Sequence, residues 1–96
     1  MIMSFANKLA EDLFDNRYSK EVRAFPGTLI QRAQLKLQYL NQAEGLEDLR
    51  VPPGNRLEVL KGNRAGSHSI RINDQWRLVF RWDGTHAHEV LIEDYH

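Results

Sequence analysis

Cysteine is absent from this sequence. Disulfides, thiolate nucleophiles and cysteine-ligated zinc are therefore excluded. An excess of either charge is also missing, because 13 Lys and Arg balance 13 Asp and Glu. Such a chain does not bind nucleic acid simply by being cationic. There is no apolar run long enough to cross a bilayer and no signal-peptide pattern at the N-terminus. The expected compartment is the cytoplasm, with no membrane partner. Proline occurs only at positions 26, 52 and 53, so it interrupts the chain at two points. What remains is an ordinary globular composition in 96 residues, 42% of them hydrophobic. That length suits one domain, 1–96, with one packed core.

Helical signals come first and strand signals last. "MIMSF" is short and apolar, a possible first strand. "NKLAEDLFDNRY" sets Leu9, Leu13 and Phe14 at helical spacing behind Asn7, a possible N-cap. "KEVRAF" is ambiguous between helix and loop. "PGTLIQRAQLKLQYLNQA" predicts the clearest helix, with Leu29, Ile30, Ala33, Leu37 and Leu40 in one stripe and Pro26 at its start. "GLEDLR" adds a possible turn of helix before "VPPGN" breaks it. From Arg56 the hydrophobic period changes to two. "RLEVLKG", "GSHSIRIN", "QWRLVFRW" and "AHEVLIED" are separated by "GNRAG", "NDQ" and "DGTH". Spacers this short require antiparallel pairing. The expected class is α+β, with helices on one face of an antiparallel sheet.

Strand alternation sorts the side chains. Trp76, Leu78, Phe80 and Trp82 share one face, as do His68, Ile70 and Ile72. The other face receives Arg71, Arg77 and Arg81, with Lys61 and Arg64 in the adjoining loop. It reads either as a solvated sheet surface or as an anion site, with phosphate foremost because guanidinium donates a planar fork. The sequence then stops on Asp94, Tyr95 and His96, directly after an apolar run. Imidazole, phenol and guanidinium together suit RNA cleavage. A base takes the 2′-hydroxyl proton, cations meet the charge on phosphorus, and an acid protonates the departing 5′-oxygen. No metal or other cofactor is needed.

These residues carry a resemblance. "PPGNRLEVLKGNRAGSHSIRINDQWRLVF" followed by a terminal "EDYH" closely resembles the HigB branch of the RelE-type bacterial toxins. The match runs from Pro52 to His96 and covers the helical half in layout only. It implies a RelE-like fold, two N-terminal helices packed on one face of a curved antiparallel sheet of four to five strands. It also implies the toxin of a type II toxin–antitoxin pair that enters the ribosomal A site and cuts mRNA. The implied partners are the ribosome, the mRNA, a helix-turn-helix antitoxin and, through the toxin–antitoxin complex, operator DNA.

Lys61 and Arg77 match basic positions that face the scissile phosphate in the family. Asp94, Tyr95 and His96 match its terminal acidic, aromatic and imidazole positions. With these five as catalytic candidates, Arg64, Arg71 and Arg81 are candidates for RNA binding. Glu58 stands where some family members carry a catalytic histidine, and Asn73 where another basic residue occurs. Glu58 is a possible substitute base, and a weakened toxin is one implication. The alternatives are a non-catalytic inhibitor of DNA gyrase, as in ParE-type relatives, or a weakened toxin acting mainly in antitoxin binding and operon regulation.

Other residues have blander readings. His86 and His88, with His68 or His96, offer a zinc alternative, but a turn residue and a strand-edge histidine are favoured. His68 is expected to be partly buried and hydrogen-bonded. Trp76 is expected in the core, and Trp82 near the surface, where it could stack on a base. Arg32 and Lys36 are expected on a solvated or partner-binding helix surface.

Overall fold

The computed structural model describes residues 1–95. Helices α1 (Lys8–Phe14), α2 (Lys20–Ala24) and α3 (Ile30–Gln42) precede strands β1 (Glu58–Val59), β2 (Ser67–Arg71), β3 (Trp76–Trp82) and β4 (Ala87–Asp94). Short 3₁₀ turns lie between α2 and α3, between α3 and β1, and between β1 and β2. The four strands form one antiparallel sheet in the order β1-β2-β3-β4. The expected α+β arrangement of N-terminal helices on an antiparallel sheet is present.

Each helix start has a local cause. Asn7 caps α1 by accepting from the Ala10 N–H at 3.0 Å. Its amide also donates to the Ile92 carbonyl at 2.8 Å, which ties the helix to β4. Ser19 caps α2, so the ambiguous "KEVRAF" contains a short helix. A 3₁₀ turn at Gly27–Leu29 leads into α3, which therefore begins four residues after Pro26. Ala33, Leu37 and Leu40 of the expected stripe are fully buried against Ile70, Leu78, Phe80 and Ile92. Truncating a fully buried leucine such as Leu37 to alanine costs about 2–5 kcal/mol.

Two hairpin turns close on side-chain acceptors. Asn73 Oδ1 accepts from the N–H groups of Gln75 and Trp76, and Asp83 Oδ1 from those of Thr85 and His86. The N-terminal segment departs from a regular strand. It meets β4 in parallel bridges at Ile2–Ala87 and Phe5–Val90. Between those bridges Glu89 has φ +52°, and its N–H goes to the Ser4 hydroxyl. The pairing on β4 shifts here, and the ladder between its two anchor points is interrupted.

Candidate active site

The second face of the sheet is not the open cationic surface expected from alternation. Arg77 is only 5% exposed. Its Nε donates to Ser69 Oγ at 2.8 Å, and its Nη2 to the Arg56 carbonyl at 2.6 Å. Arg56 has left-handed backbone, φ +45°, at the end of the "PPGN" turn. The chain thus bends a main-chain acceptor over the sheet, and alternation cannot reveal such a cover. The remaining nitrogen, Nη1, lies 3.8 Å from Glu58 Oε1, too far for a hydrogen bond. The Tyr95 ring sits 5.2 Å from the guanidinium carbon, within cation–π range.

Strand register explains this grouping. Glu58 pairs across from Ser69, Arg71 from Arg77, and Arg77 from Glu93, so these side chains share a face. The Glu93 carboxylate accepts two hydrogen bonds from Arg64, the one donated by Nη1 at 2.9 Å. Glu93 and Ser69 were not singled out from the sequence. The parity of Leu91 with Glu93, and of Ser69 with Arg71, carried that signal.

The expected concentration of positive charge is largely compensated. Arg71 pairs with Asp74, Arg81 with Glu89 at 3.5 Å, Arg64 with Glu93, and Arg77 faces Glu58. Of the basic residues expected on this face, Lys61 alone has no carboxylate partner among the described residues. It is exposed, at the start of the turn between β1 and β2. Arg81 lies against Gly66, where φ is +93° and an added Cβ would come within 3.1 Å of Nη2. Glycine permits both the turn and that approach. Arg64, Arg81 and Glu89 line a depression of about 260 Å³ beside the Arg77 cluster.

The terminal residues divide. Tyr95 joins Arg77. Asp94 registers opposite Trp76, on the alternate parity, and its carboxylate accepts from Gln75 Nε2 at 2.9 Å. His96 lies outside the described residues.

The histidines take other roles. His68 stacks on Phe80, centroids 5.8 Å apart, and burial pushes its imidazole pKa down. Its Nδ1 is buried without the hydrogen-bond partner that was expected. His88 meets Asp83 at 2.6 Å. The His86 N–H, the His88 ring and the Thr85 N–H together hold the Asp83 carboxyl well below the usual carboxylate range. Among the described residues no three metal-ligating side chains converge. Trp76 packs edge-on against Phe25, and Trp82 against Phe80. Both indoles are half-buried against the core.

The cluster offers an oriented guanidinium with one uncommitted nitrogen, a half-exposed carboxylate and a phenol. That set can hold an anion and exchange a proton beside it. The model of the HigB-like toxins, RelE-like toxins of type II toxin–antitoxin systems, matches residues 3–96. The chain belongs to this family.

Membership in the HigB-like toxins implies an antitoxin partner. Toxin HigB-1 of Vibrio cholerae serotype O1 is 40% identical over 82 residues, which cover 85% of this chain and 84% of the relative. Endoribonuclease HigB of Proteus vulgaris is 31% identical over 96 residues, the full length of both. Among solved structures, a chain of the YoeB–YefM complex from Staphylococcus aureus superposes with a TM-score of 0.59 at 20% identity, covering 100% and 98% of the two chains. The YoeB/ParE toxin from Agrobacterium tumefaciens gives 0.52 at 19%, covering 99% and 100%. At such identities these two establish the shared fold alone. Among the described residues no helix is long and apolar enough to cross a membrane.

Proposed function

We propose that this HigB-like toxin is a ribosome-dependent endoribonuclease that cuts mRNA in the A site. The observation that carries the reading is the Arg77 cluster, in a chain related over its full length to Endoribonuclease HigB of Proteus vulgaris. Arg77 is held by Ser69 and the Arg56 carbonyl, so meeting a phosphate costs it little reorganisation. In the proposed reaction the 2′-oxygen attacks phosphorus and the bond to the 5′-oxygen breaks, leaving a cyclic phosphate. Glu58 takes the 2′-hydroxyl proton and His96 supplies one to the 5′-oxygen. Arg77 and Lys61 meet the charge that builds on the phosphoryl oxygens, and Tyr95 bounds the site. Arg64 and Arg81, which share the depression beside this cluster, bind the strand by exchanging their carboxylate partners, Glu93 and Glu89, for phosphate. No metal enters this scheme.

A surface on which four arginines are already paired has little free charge with which to seize naked RNA. Substrate positioning is assigned to the ribosome for that reason. A helix-turn-helix antitoxin neutralises the toxin, and the complex binds the operator. The test is to express the chain with a translated reporter message and map 5′ ends, then repeat with purified protein and the same RNA free of ribosomes. Cuts are expected only in the translated message. Equally efficient cutting of naked RNA would overturn ribosome dependence, and the absence of cuts in both would favour non-catalytic gyrase inhibition.

A further inference from the structure

Away from the Arg77 cluster, three cations close on one pocket beside α3 and the β2 edge. Lys36 is 8% exposed, a correction to the solvated position expected from the helix pattern. Its ammonium donates to Asn55 Oδ1 and lies 5.7 Å from the centre of the Tyr39 ring. Asn55 is itself fully buried, and its amide nitrogen is directed at the Leu49 and Val51 carbonyls. An amide oxygen accepts a hydrogen bond but does not neutralise a charge. Among the described residues no carboxylate pairs with Lys36. Burial, then the Arg32 guanidinium, then that of Arg71 push its pKa down.

Arg32, Lys36 and Arg71 line this pocket of about 280 Å³ together with Tyr39, Pro52 and Gly54. Arg32 donates to the Ile72 carbonyl at a long 3.5 Å. Arg71 has one acidic partner, Asp74, whose side chain is 97% exposed. Such a pair contributes little and is readily exchanged. The pocket therefore holds an excess of cation in a protein of zero net charge. A buried ammonium between two guanidiniums is costly unless an anion completes it.

Two forked guanidiniums suit phosphate, and Tyr39 lines the pocket beside them. The pocket also connects to the candidate active site, because Arg71 is the direct cross-strand partner of Arg77. We propose that Arg32, Lys36 and Arg71 form a second phosphate-binding site, for the phosphodiester backbone of an RNA strand. The choice of polyanion rests on the RNA-cleaving reading above, but the site does not depend on the catalytic residues. The strand is either the message beyond the cut or RNA of the ribosome, and the two share this chemistry.

The test uses the full chain and its Arg32→Gln, Lys36→Met and Arg71→Gln variants, with thermal melting to check the fold. Arg32 is exposed, so its variant is expected to fold even if Lys36→Met does not. Affinity is measured over a salt series in two arms. One probe is an uncleavable 2′-O-methyl RNA, and the other is programmed ribosomes. Arg32→Gln is expected to weaken binding by about 3- to 10-fold and to reduce the salt slope for single-stranded RNA by about 0.7. Loss in the first arm assigns the site to the message. Loss with ribosomes alone assigns it to ribosomal RNA.

Folded variants that bind within about twofold of the parent in both arms, with unchanged slope, would overturn the site. So would poly-glutamate that competes as well as an oligonucleotide of equal charge, since that would assign the pocket to an acidic polypeptide. Cleavage is scored separately. A parent chain that binds as expected but cuts nothing sinks the nuclease reading alone, and one that cuts while its variants bind normally sinks this pocket alone.

Discussion

Arg77 commits two of its three nitrogens inside the fold, and this decides what its neighbours can do. Its Nε and Nη2 hold Ser69 and the Arg56 carbonyl, which leaves Nη1 beside Glu58. Glu58 is 47% exposed at its side chain and so remains within reach of a substrate. If it takes the 2′-hydroxyl proton, Glu58→Gln preserves shape and removes the base. Single-turnover cleavage on programmed ribosomes is expected to fall by about 10²–10⁴-fold with melting unchanged. A rate within about threefold of the parent would leave Glu58 as a counter-charge to Arg77 alone. The proton donor has its own test. Deleting His96 is expected to cost a similar factor while antitoxin binding survives, and a deletion variant as fast as the parent would move that role to Tyr95. Tyr95 is already placed against Arg77, so the two outcomes separate two named groups.

At the scale of elements, the strands were legible and their covers were not. Period-two alternation assigned Leu78, Phe80, Ile70 and Ile72 to the core, and all four are buried there. It also grouped Arg71, Arg77 and Arg81, because cross-strand register follows the same parity. It could not show that Arg56 and Ser69 bury Arg77, since those contacts depend on a left-handed turn and on a neighbouring strand. Lys36 was misread for a related reason. Its polarity marked a helix surface, whereas its burial comes from the 51–56 segment folding back through Asn55.

The join between α1 and α2 carries a further buried charge, Asp12. Lys8 lies 3.0 Å from it and Arg17 3.6 Å. The Ser19 hydroxyl and the Lys8 ammonium hold its carboxyl below the usual range. A depressed folded pKa means that the unfolded state takes up the proton first. The stabilisation is therefore fully present above about pH 4 and is lost as pH falls through the depressed folded value. Asp12→Asn should be less stable than the parent at neutral pH, with the gap in urea midpoint narrowing below about pH 4. A gap that stays constant from neutrality to about pH 2.5 would show that the helix join rests on packing rather than on this charge.

Across the whole molecule, zero net charge and paired arginines set how the toxin can approach nucleic acid. Long-range attraction to a polyanion needs a surplus of cation over the surface, and this chain has none overall. Binding must then come from local exchange, in which an exposed carboxylate such as Asp74 or Glu89 gives up its arginine to a phosphate. Such exchange releases fewer counterions than binding by unpaired cations, because part of the positive charge was already compensated by the protein. Two consequences follow for the proposed toxin–antitoxin complex. Most operator phosphate contacts must come from the antitoxin. The salt dependence of operator binding should likewise follow the antitoxin's basic residues and change little when Arg64 or Arg81 is replaced by glutamine. Gel-shift titrations over a salt series can compare the toxin, the antitoxin and the complex on one operator fragment. The isolated toxin is expected to bind at only non-specific strength, with a Kd above about 1 μM near physiological salt. Operator binding by the toxin alone as tight as by the complex would mean that its paired arginines open far more readily than their contacts imply, and would place the DNA-reading surface on the toxin itself.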